Sequence, residues 1–240
     1  MANELLWSMI TYLFPKNCYE ELVIQLHIFH PECVPLVLSR FLGLGITAGS
    51  ILVLVPQIVK IWKAKSGAGV ALVSQFLNLI ACTGTSGYSY AYKFVFSQWG
   101  DALFLAIQTA VIIVQIMYYA GQKAEAIGFV LIYCVVGYTI YLGLVPIAVL
   151  TFVQAATIPM TLISRSIQIN ENYRNRSTGQ LSVISVFLMF GGALARILTS
   201  VQETGDRLVI VAYVVASIMN GIILAQIIFY WGQKPTKKTL

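Results

Sequence analysis

Residues 126–164 read AIGFVLIYCVVGYTIYLGLVPIAVLTFVQAATIPMTLIS and contain no Asp, Glu, Lys or Arg. As a single helix this run would be about 58 Å long at a rise of ~1.5 Å per residue, nearly twice the ~30 Å hydrocarbon core of a bilayer. It is therefore predicted to fold into two helices that each cross a membrane. The turn between them is predicted at Gly143-Leu144-Val145-Pro146, because proline fits the first turn of the helix that follows it.

The whole chain has the composition of a membrane protein. Of its 240 residues 58% are hydrophobic and 10% are charged, with a mean hydropathy of +0.81, whereas roughly a quarter of the residues in a soluble domain are charged. Soluble, fibrous, disordered and disulfide-scaffold classes are excluded. The basic residues form short clusters between apolar runs rather than one basic element, so no nucleic-acid partner is predicted.

Five further charge-free intervals are each long enough to span a bilayer: 41–59, 66–92, 102–122, 177–195 and 208–233. Together with the two helices of residues 126–164, they predict an all-α membrane protein with seven transmembrane helices.

The basic residues predict the orientation of these helices. With a cytosolic carboxyl terminus, the inner segments hold ten Lys and Arg residues against two acidic residues, and the outer segments hold four against seven. Cytosolic segments carry an excess of Lys and Arg. The amino terminus is therefore predicted to be lumenal and the carboxyl terminus cytosolic.

The two ends of the chain lie outside the predicted helices. Residues 1–35 lack the pattern of a cleavable signal peptide and are predicted to remain as an interfacial segment on the lumenal side. Within it, Cys18 and Cys33 either form a disulfide or remain two free thiols. In the tail, residues 233–240, Lys237 and Lys238 resemble a dilysine signal for retrieval to the endoplasmic reticulum, although an ordinary positive-inside flank would have the same lysines.

A faint internal repeat divides the spans into two groups of three. Residues 54–58 pair with 157–161, 103 residues later, and both lead to a basic loop. The loops 66–71 and 177–182 align if the second repeat has an insertion of eight residues before its loop. Gln115 then aligns with Asn220. The sequence therefore predicts two parallel three-helix repeats, residues 36–121 and 146–232, joined by a linker helix over 122–145.

Three of these features resemble the PQ-loop family, whose fold is related to that of the SWEET sugar transporters. They are the Pro56-Gln57 pair in the first helix, the Lys65-Ser66-x-x-Gly69 loop after it, and the arrangement of three, one and three helices. The second repeat departs from the pattern, with Pro159-Met160 where Pro-Gln is common.

Longer runs resemble one branch of that family. They are Trp99–Leu105, Phe190–Arg196 and Gln202–Asp206. This resemblance implies a protein of the endoplasmic reticulum membrane that is required for the use of dolichyl-phosphate mannose and dolichyl-phosphate glucose. Those lipids serve lumenal glycan assembly: N-glycans, O- and C-mannosylation and glycosylphosphatidylinositol anchors. The implied partners are these lipid-linked sugars, membrane lipids and lumenal glycosyltransferases.

Two prolines are hinge candidates. Pro56 and Pro159 each lie within a predicted span, where proline removes one backbone donor and clashes with the carbonyl four residues earlier. Paired kinks would let two half-bundles rock about a central site. The alternative is a static kink whose exposed groups are satisfied by neighbouring helices. The amide of Gln57 could bind a ligand or a neighbouring helix.

Arg196 is the most informative candidate for substrate binding. An arginine inside a membrane costs at least ~2.5 kcal/mol unless it is paired or reaches polar surroundings. Its guanidinium matches the geometry of the phosphate in a lipid-linked sugar, and pairing with an acid such as Glu203 is the alternative. Glu203 could itself bind sugar hydroxyls or orient the last helix.

Three further candidates for substrate binding could instead have a purely structural role. Gln115 and Asn220 could bind substrate or form interhelical hydrogen bonds of ~0.6 kcal/mol each. Tyr88 could stack on a sugar ring or belong to an interfacial aromatic belt.

These observations leave several functions open. The first is a translocator or scramblase of the lipid-linked sugar; the second is a non-transporting accessory protein that presents dolichyl-phosphate sugars to transferases; the third is a small-solute PQ-loop carrier. An enzyme ranks last, because both His residues lie in the amino-terminal segment and both Asp residues lie beside loops. No catalytic residue, metal site or cofactor is predicted.

Overall fold

The computed structural model describes residues 7, 10–15, 17–67, 72–176 and 183–231. Lys237 and Lys238 lie outside the described residues. The α-helices are α1 (Cys33–Val53), α2 (Val55–Ala64), α3 (Leu72–Ala91), α4 (Gly100–Tyr119), α5 (Lys123–Tyr141), α6 (Ile147–Asn175), α7 (Val183–Glu203) and α8 (Arg207–Phe229). A π-helical turn, Glu20–Ile24, precedes α1, and a 3₁₀ turn, Phe96–Gln98, precedes α4.

Six helical segments in the described part of the chain are long and apolar enough to cross a membrane: α1 with α2, and then α4, α5, α6, α7 and α8. The predicted turn in the 39-residue run separates α5 from α6 as expected, with Gly143 at φ +70°. The interval 66–92 also contains a helix, α3, but α3 is not among the six. Its Ser, Thr, Asn and Gln side chains lower its hydropathy, so the seventh crossing stays a prediction.

The chain divides into two compact units, residues 1–154 and 155–240. In the first unit α4 is the central helix and packs against α1, α2, α3 and α5. Ile112 and Ile116 of α4 meet Ile61 of α2, and on the other side Ala106 and Ile113 meet Leu79 of α3. Because α4 holds the other helices together, polar side chains on α4 are placed to bind their backbones.

The second unit is built on α7 and α8, which pack closely against each other. Val186 of α7 meets Ile223 and Ile227 of α8. Asp206 begins α8, because its Oδ1 accepts a hydrogen bond from the Val209 N–H at 3.0 Å. That capping role satisfies one of the free donors of the first helical turn.

The amino-terminal segment is tied to the first unit. Cys18 and Cys33 form a disulfide with a Cα–Cα distance of 5.3 Å. Arg40 Nη1 of α1 donates to the Tyr12 carbonyl at 2.7 Å, and the Ser97 N–H donates to the Tyr12 hydroxyl at 3.0 Å. The first helix therefore begins at Cys33, earlier than its charge-free interval, and holds Arg40 in a buried position.

Candidate functional site

The first helix breaks at the Pro-Gln motif, and a glutamine from α4 fills the break. The helix α1 ends at Val53 and α2 begins at Val55, with Pro56 in its first turn. In an unbroken helix the Leu54 N–H would bind the Ser50 carbonyl, four residues earlier. Instead, the Leu54 N–H donates to Gln108 Oε1 at 2.9 Å, and Gln108 Nε2 donates to the Ser50 carbonyl at 2.8 Å. One buried amide therefore replaces one rung of the helical ladder.

A second glutamine of α4 binds the same helix beyond the break. Gln115 lies seven residues after Gln108, which is about two helical turns. Its Nε2 donates to the Ile58 carbonyl at 3.3 Å. Of its two predicted roles, the structure thus displays the interhelical hydrogen bond. Gln57 is half-buried and is the residue before Ile58. The predicted site residues Gln57 and Gln115 therefore lie close together.

The second unit repeats this contact with the same spacing. Gln226 Nε2 of α8 donates to the Ile169 carbonyl of α6 at 3.0 Å. Gln226 also accepts from Asn172 Nδ2 at 2.9 Å, and Asn172 accepts from Gln168 Nε2 at 3.1 Å. The pairs Gln115–Ile58 and Gln226–Ile169 are each separated by 57 residues. Equivalent positions of the two repeats are therefore 111 residues apart, the distance from Ile58 to Ile169.

This spacing corrects the predicted alignment of the repeats. The counterpart of Pro56-Gln57 is Ile167-Gln168, not Pro159-Met160, and the counterpart of Gln115 is Gln226, not Asn220. The two basic loops then align without the eight extra residues, because Lys65-Ser66 pairs with Arg176-Ser177. The misalignment arose because proline was taken as the marker, whereas the second repeat keeps the glutamine and has lost the proline.

The two predicted hinge prolines lie in different surroundings. At Pro56 the helix is interrupted, but α6 is a single helix from Ile147 to Asn175 that includes Pro159 in its interior. A proline alone removes one donor in both places. At the break before Pro56, the side chain of Gln108 takes the place of the lost backbone hydrogen bond.

Arg196, Asn220 and Glu203 all belong to the second unit. Arg196 is buried in α7 with 3% of its surface exposed, and Asn220 is buried in α8 at 4%. Glu203 is the last residue of α7, about 10 Å along the helix from Arg196 at ~1.5 Å per residue. The guanidinium is thus placed inside a candidate membrane span rather than at its end.

A cavity of about 360 Å³ lies in the first unit between α3, α4 and α5. Its walls are almost entirely apolar and include Leu103, Ile107 and Ile140. At one end three aromatic side chains form a rim. The Tyr90 ring lies 6.0 Å from that of Trp99 and 6.2 Å from that of Tyr141, between ring centroids.

A second apolar cavity of about 290 Å³ adjoins the first between α3, α5 and the start of α6. The two cavities share Thr83, Tyr133 and Ile140 in their walls. From Leu79 in the second cavity to Tyr90 at the rim of the first, α3 rises about 16 Å at ~1.5 Å per residue. The walls of the two cavities together therefore extend over about this length of α3.

Tyr88 does not belong to this cavity. It is 3% exposed and packs against Tyr92, with ring centroids 4.5 Å apart. Its ring also lies 6.2 Å from that of Phe94, between ring centroids. A role for Tyr88 in stacking on a sugar ring stays a prediction.

Sequence reasoning missed Gln108, Tyr133 and the position of the cavity. Gln108 had a usable signal, because it lies one heptad before Gln115 and thus on nearly the same face of α4. Tyr133 and Thr83 had none, since their 2.9 Å contact joins residues 50 positions apart.

Comparisons with known proteins agree with this arrangement. A family model described as the PQ loop repeat matches the chain twice, over residues 38–98 and 149–208. The two matches begin 111 residues apart, which is the spacing given by the hydrogen bonds. Both fall inside the predicted repeats, whose outer boundaries stay predictions. A solved structure of a eukaryotic SWEET transporter has a similar fold, with a TM-score of 0.61 and 15% sequence identity over 82% of this chain and 97% of that one.

Proposed function

Because the chain belongs to the PQ-loop repeat family, we propose that it is a membrane transport protein whose substrate is a lipid-linked sugar, dolichyl-phosphate mannose or dolichyl-phosphate glucose. The transport role is supported by six candidate membrane spans and by a fold similar to that of a SWEET transporter. The substrate class is supported by the runs 99–105 and 190–196, which resemble those of the mannose-phosphate-dolichol utilisation defect proteins. The protein would act in the endoplasmic reticulum and supply lumenal glycosyltransferases.

The buried position of Arg196 is the observation that favours a phosphate-bearing lipid over a free, neutral solute as the substrate. Arg196 is an ionisable side chain buried at 3% exposure in a candidate span, and such a residue by default indicates a functional site. A neutral sugar would gain little from Arg196, whereas a phosphodiester accepts two parallel hydrogen bonds from a guanidinium. The neighbouring Gly191 and Gly192 leave open space where a side chain would stand, with no atom within 4 Å of either added Cβ. A bulky headgroup therefore has room beside this part of α7.

Transbilayer movement of the substrate tests the proposal directly. Purified protein is reconstituted into liposomes that carry a fluorescent, short-chain mannosyl-phosphoryl lipid, and the fraction that a membrane-impermeant quencher reaches is followed over time. We expect the protein to accelerate equilibration relative to empty liposomes. Arg196→Gln removes a charge-assisted hydrogen bond worth about 1.5–3 kcal/mol, so the rate should fall about 10- to 100-fold.

Arg165→Gln is the matched control, since it removes an arginine of the same unit from α6. Arg165 Nη2 lies 3.4 Å from Met189 Sδ and is less buried than Arg196. Its rate should stay within about twofold of the unsubstituted protein. If folded, unsubstituted protein does not accelerate equilibration at all, translocation is not its activity.

The accessory role is a second candidate, and one observation favours it. Only the first repeat has an interrupted helix at its motif, because α6 continues through Ile167-Gln168, the counterpart of Pro56-Gln57. A protein that presents its lipid without moving it has no need for matched hinges. In this case the liposome assay gives no acceleration, while Arg196→Gln still weakens retention of the mannosyl-phosphoryl lipid on the purified protein.

A further inference from the structure

Most of the polar side chains in the walls of the cavity between α3, α4 and α5 are engaged within the protein. The Thr83 Oγ1 and Tyr133 Oη atoms bind each other at 2.9 Å, and Ser86 Oγ donates to the Thr83 carbonyl at 3.1 Å. At the rim, Trp99 Nε1 donates to the Phe94 carbonyl at 3.0 Å. A free sugar placed here would lose many hydrogen bonds to water and regain few, which is costly. The chemistry of the walls fits a hydrocarbon.

The surroundings of the cavity point to a lipid chain rather than a compact apolar molecule. It is partly open at the protein surface, and its walls come from α4 and α5, two candidate membrane spans. The adjoining cavity extends it to about 16 Å along α3. A linear chain fits this shape, and in a bilayer it reaches the opening without crossing water.

We propose that this pair of adjoining cavities binds part of the polyprenyl chain of the lipid-linked sugar. The identity of the chain rests on the proposed function, whereas the site itself rests on the cavity. Burial of a chain against apolar walls is favourable and needs no specific polar contact.

Two cysteines give a direct measurement of occupancy. Cys134 of α5 is exposed and lies in the cavity wall, whereas Cys82 of α3 is half-buried and lies outside it. The protein is placed in phosphatidylcholine nanodiscs with increasing mole fractions of dolichyl phosphate, and alkylation of each thiol by a membrane-permeant maleimide is followed by peptide mass spectrometry. We expect dolichyl phosphate to slow alkylation of Cys134 at least fivefold and to leave the rate at Cys82 unchanged.

Two glycines of α5 allow a test in which one substitution fills the cavity and the other serves as its control. Gly137 lies in the cavity wall and Gly128 does not, and an added Cβ would have no atom within 4 Å at either position. Gly137→Leu should abolish the protection of Cys134 by dolichyl phosphate, while Gly128→Leu should retain it. Both changes replace a helical glycine with a better helix former, and a melting curve for each variant verifies that it is folded.

The outcomes separate this site from the proposed function. Protection of Cys134 without transbilayer transport would support the chain site and overturn translocation. Transport without protection, in the same folded preparation, would overturn the chain site. Equal protection from added dolichyl phosphate and from the same mole fraction of long-chain phosphatidylcholine would also overturn the proposal, because the cavity would then hold ordinary membrane lipid.

Discussion

The side chain of Gln108 replaces a backbone hydrogen bond that is missing where the first helix is interrupted. Its amide accepts from the Leu54 N–H and donates to the Ser50 carbonyl, two groups that would otherwise bind each other in an unbroken helix. Its Nε2 also lies 3.0 Å from the Phe104 carbonyl of its own helix. In hydrocarbon an unsatisfied backbone group costs several kcal/mol, so the break depends on this glutamine.

Gln108→Leu should destabilise the protein more than Gln115→Leu. The first change leaves both Leu54 N–H and Ser50 C=O without their partner, at a cost of about 2–4 kcal/mol. The second removes one 3.3 Å contact, worth about 0.6 kcal/mol in a membrane helix pair. The midpoints of thermal unfolding in a mild detergent measure the difference. Equal shifts would mean that the broken helix satisfies its own backbone once Gln108 is gone.

Sequence reasoning predicted a kink at Pro56, as a hinge or a static bend, but not the side chain that stabilises the interrupted helix there. The absence of a backbone N–H at a proline is known from the sequence alone. Whether the helix then breaks depends on a partner that is 54 residues away in the chain, from Leu54 to Gln108. Arg196 is the opposite case, since its cost inside a membrane made it conspicuous by residue type alone.

The helices α1 and α6 differ in how they respond to proline, and this difference makes a prediction about motion. Pro56→Ala restores a donor at the break and should favour a continuous first helix. We expect it to slow transport of the mannosyl-phosphoryl lipid several-fold. Pro159→Ala lies inside a helix that is already continuous, so the rate should change less than twofold. Equal losses in the two variants would support a moving hinge at Pro159 as well.

The amino-terminal segment depends on one covalent bond and one tyrosine. The disulfide Cys18–Cys33 closes a loop with a sequence separation of 15 residues, for which loss of chain entropy predicts about 3 kcal/mol of stabilisation. A lumenal location, as predicted from the charge distribution, would preserve the bond.

Cys33→Ser should therefore lower the unfolding temperature by several degrees, and a reductant should lower it equally in the unsubstituted protein but not in the variant. Cys134→Ser is the control, because Cys134 is a free and exposed thiol. An unchanged unfolding temperature in Cys33→Ser would show that the Tyr12 contacts with Arg40 and Ser97 suffice to hold the segment.

For the molecule as a whole, the all-helical membrane class could be predicted from composition, but the correspondence between the repeats could not. Charge-free intervals predicted a helix in each region where the structure has one, because charge is costly in hydrocarbon whatever the fold. The repeat register depends on which glutamine binds which carbonyl. That contact joins residues 57 positions apart and leaves no local pattern.

The sidedness of the two termini decides whether α3 crosses the membrane. Six crossings place both termini on one face, whereas seven place them on opposite faces. The helix α3 is 20 residues long and polar side chains on it are engaged within the first unit: Asn78 Nδ2 donates to Thr109 Oγ1 at 3.0 Å, and Thr83 binds Tyr133. A helix whose polar groups bind its neighbours can enter the membrane despite its lower hydropathy. We therefore expect seven crossings.

An Asn-Gly-Thr glycosylation tag added before Met1 should be glycosylated in microsomes, and the same tag after Leu240 should remain unmodified. The natural sequon Asn175-Arg176-Ser177 should also stay unused, because the positive-inside distribution places it in the cytosol. Endoglycosidase-sensitive mobility shifts report all three sites in one experiment. If both tags are modified, or neither is, the number of crossings is even and α3 lies outside the bilayer. The result also fixes which leaflet faces the cavity rim, because Tyr90 and Tyr141 lie near the ends of α3 and α5 on one face of the first unit.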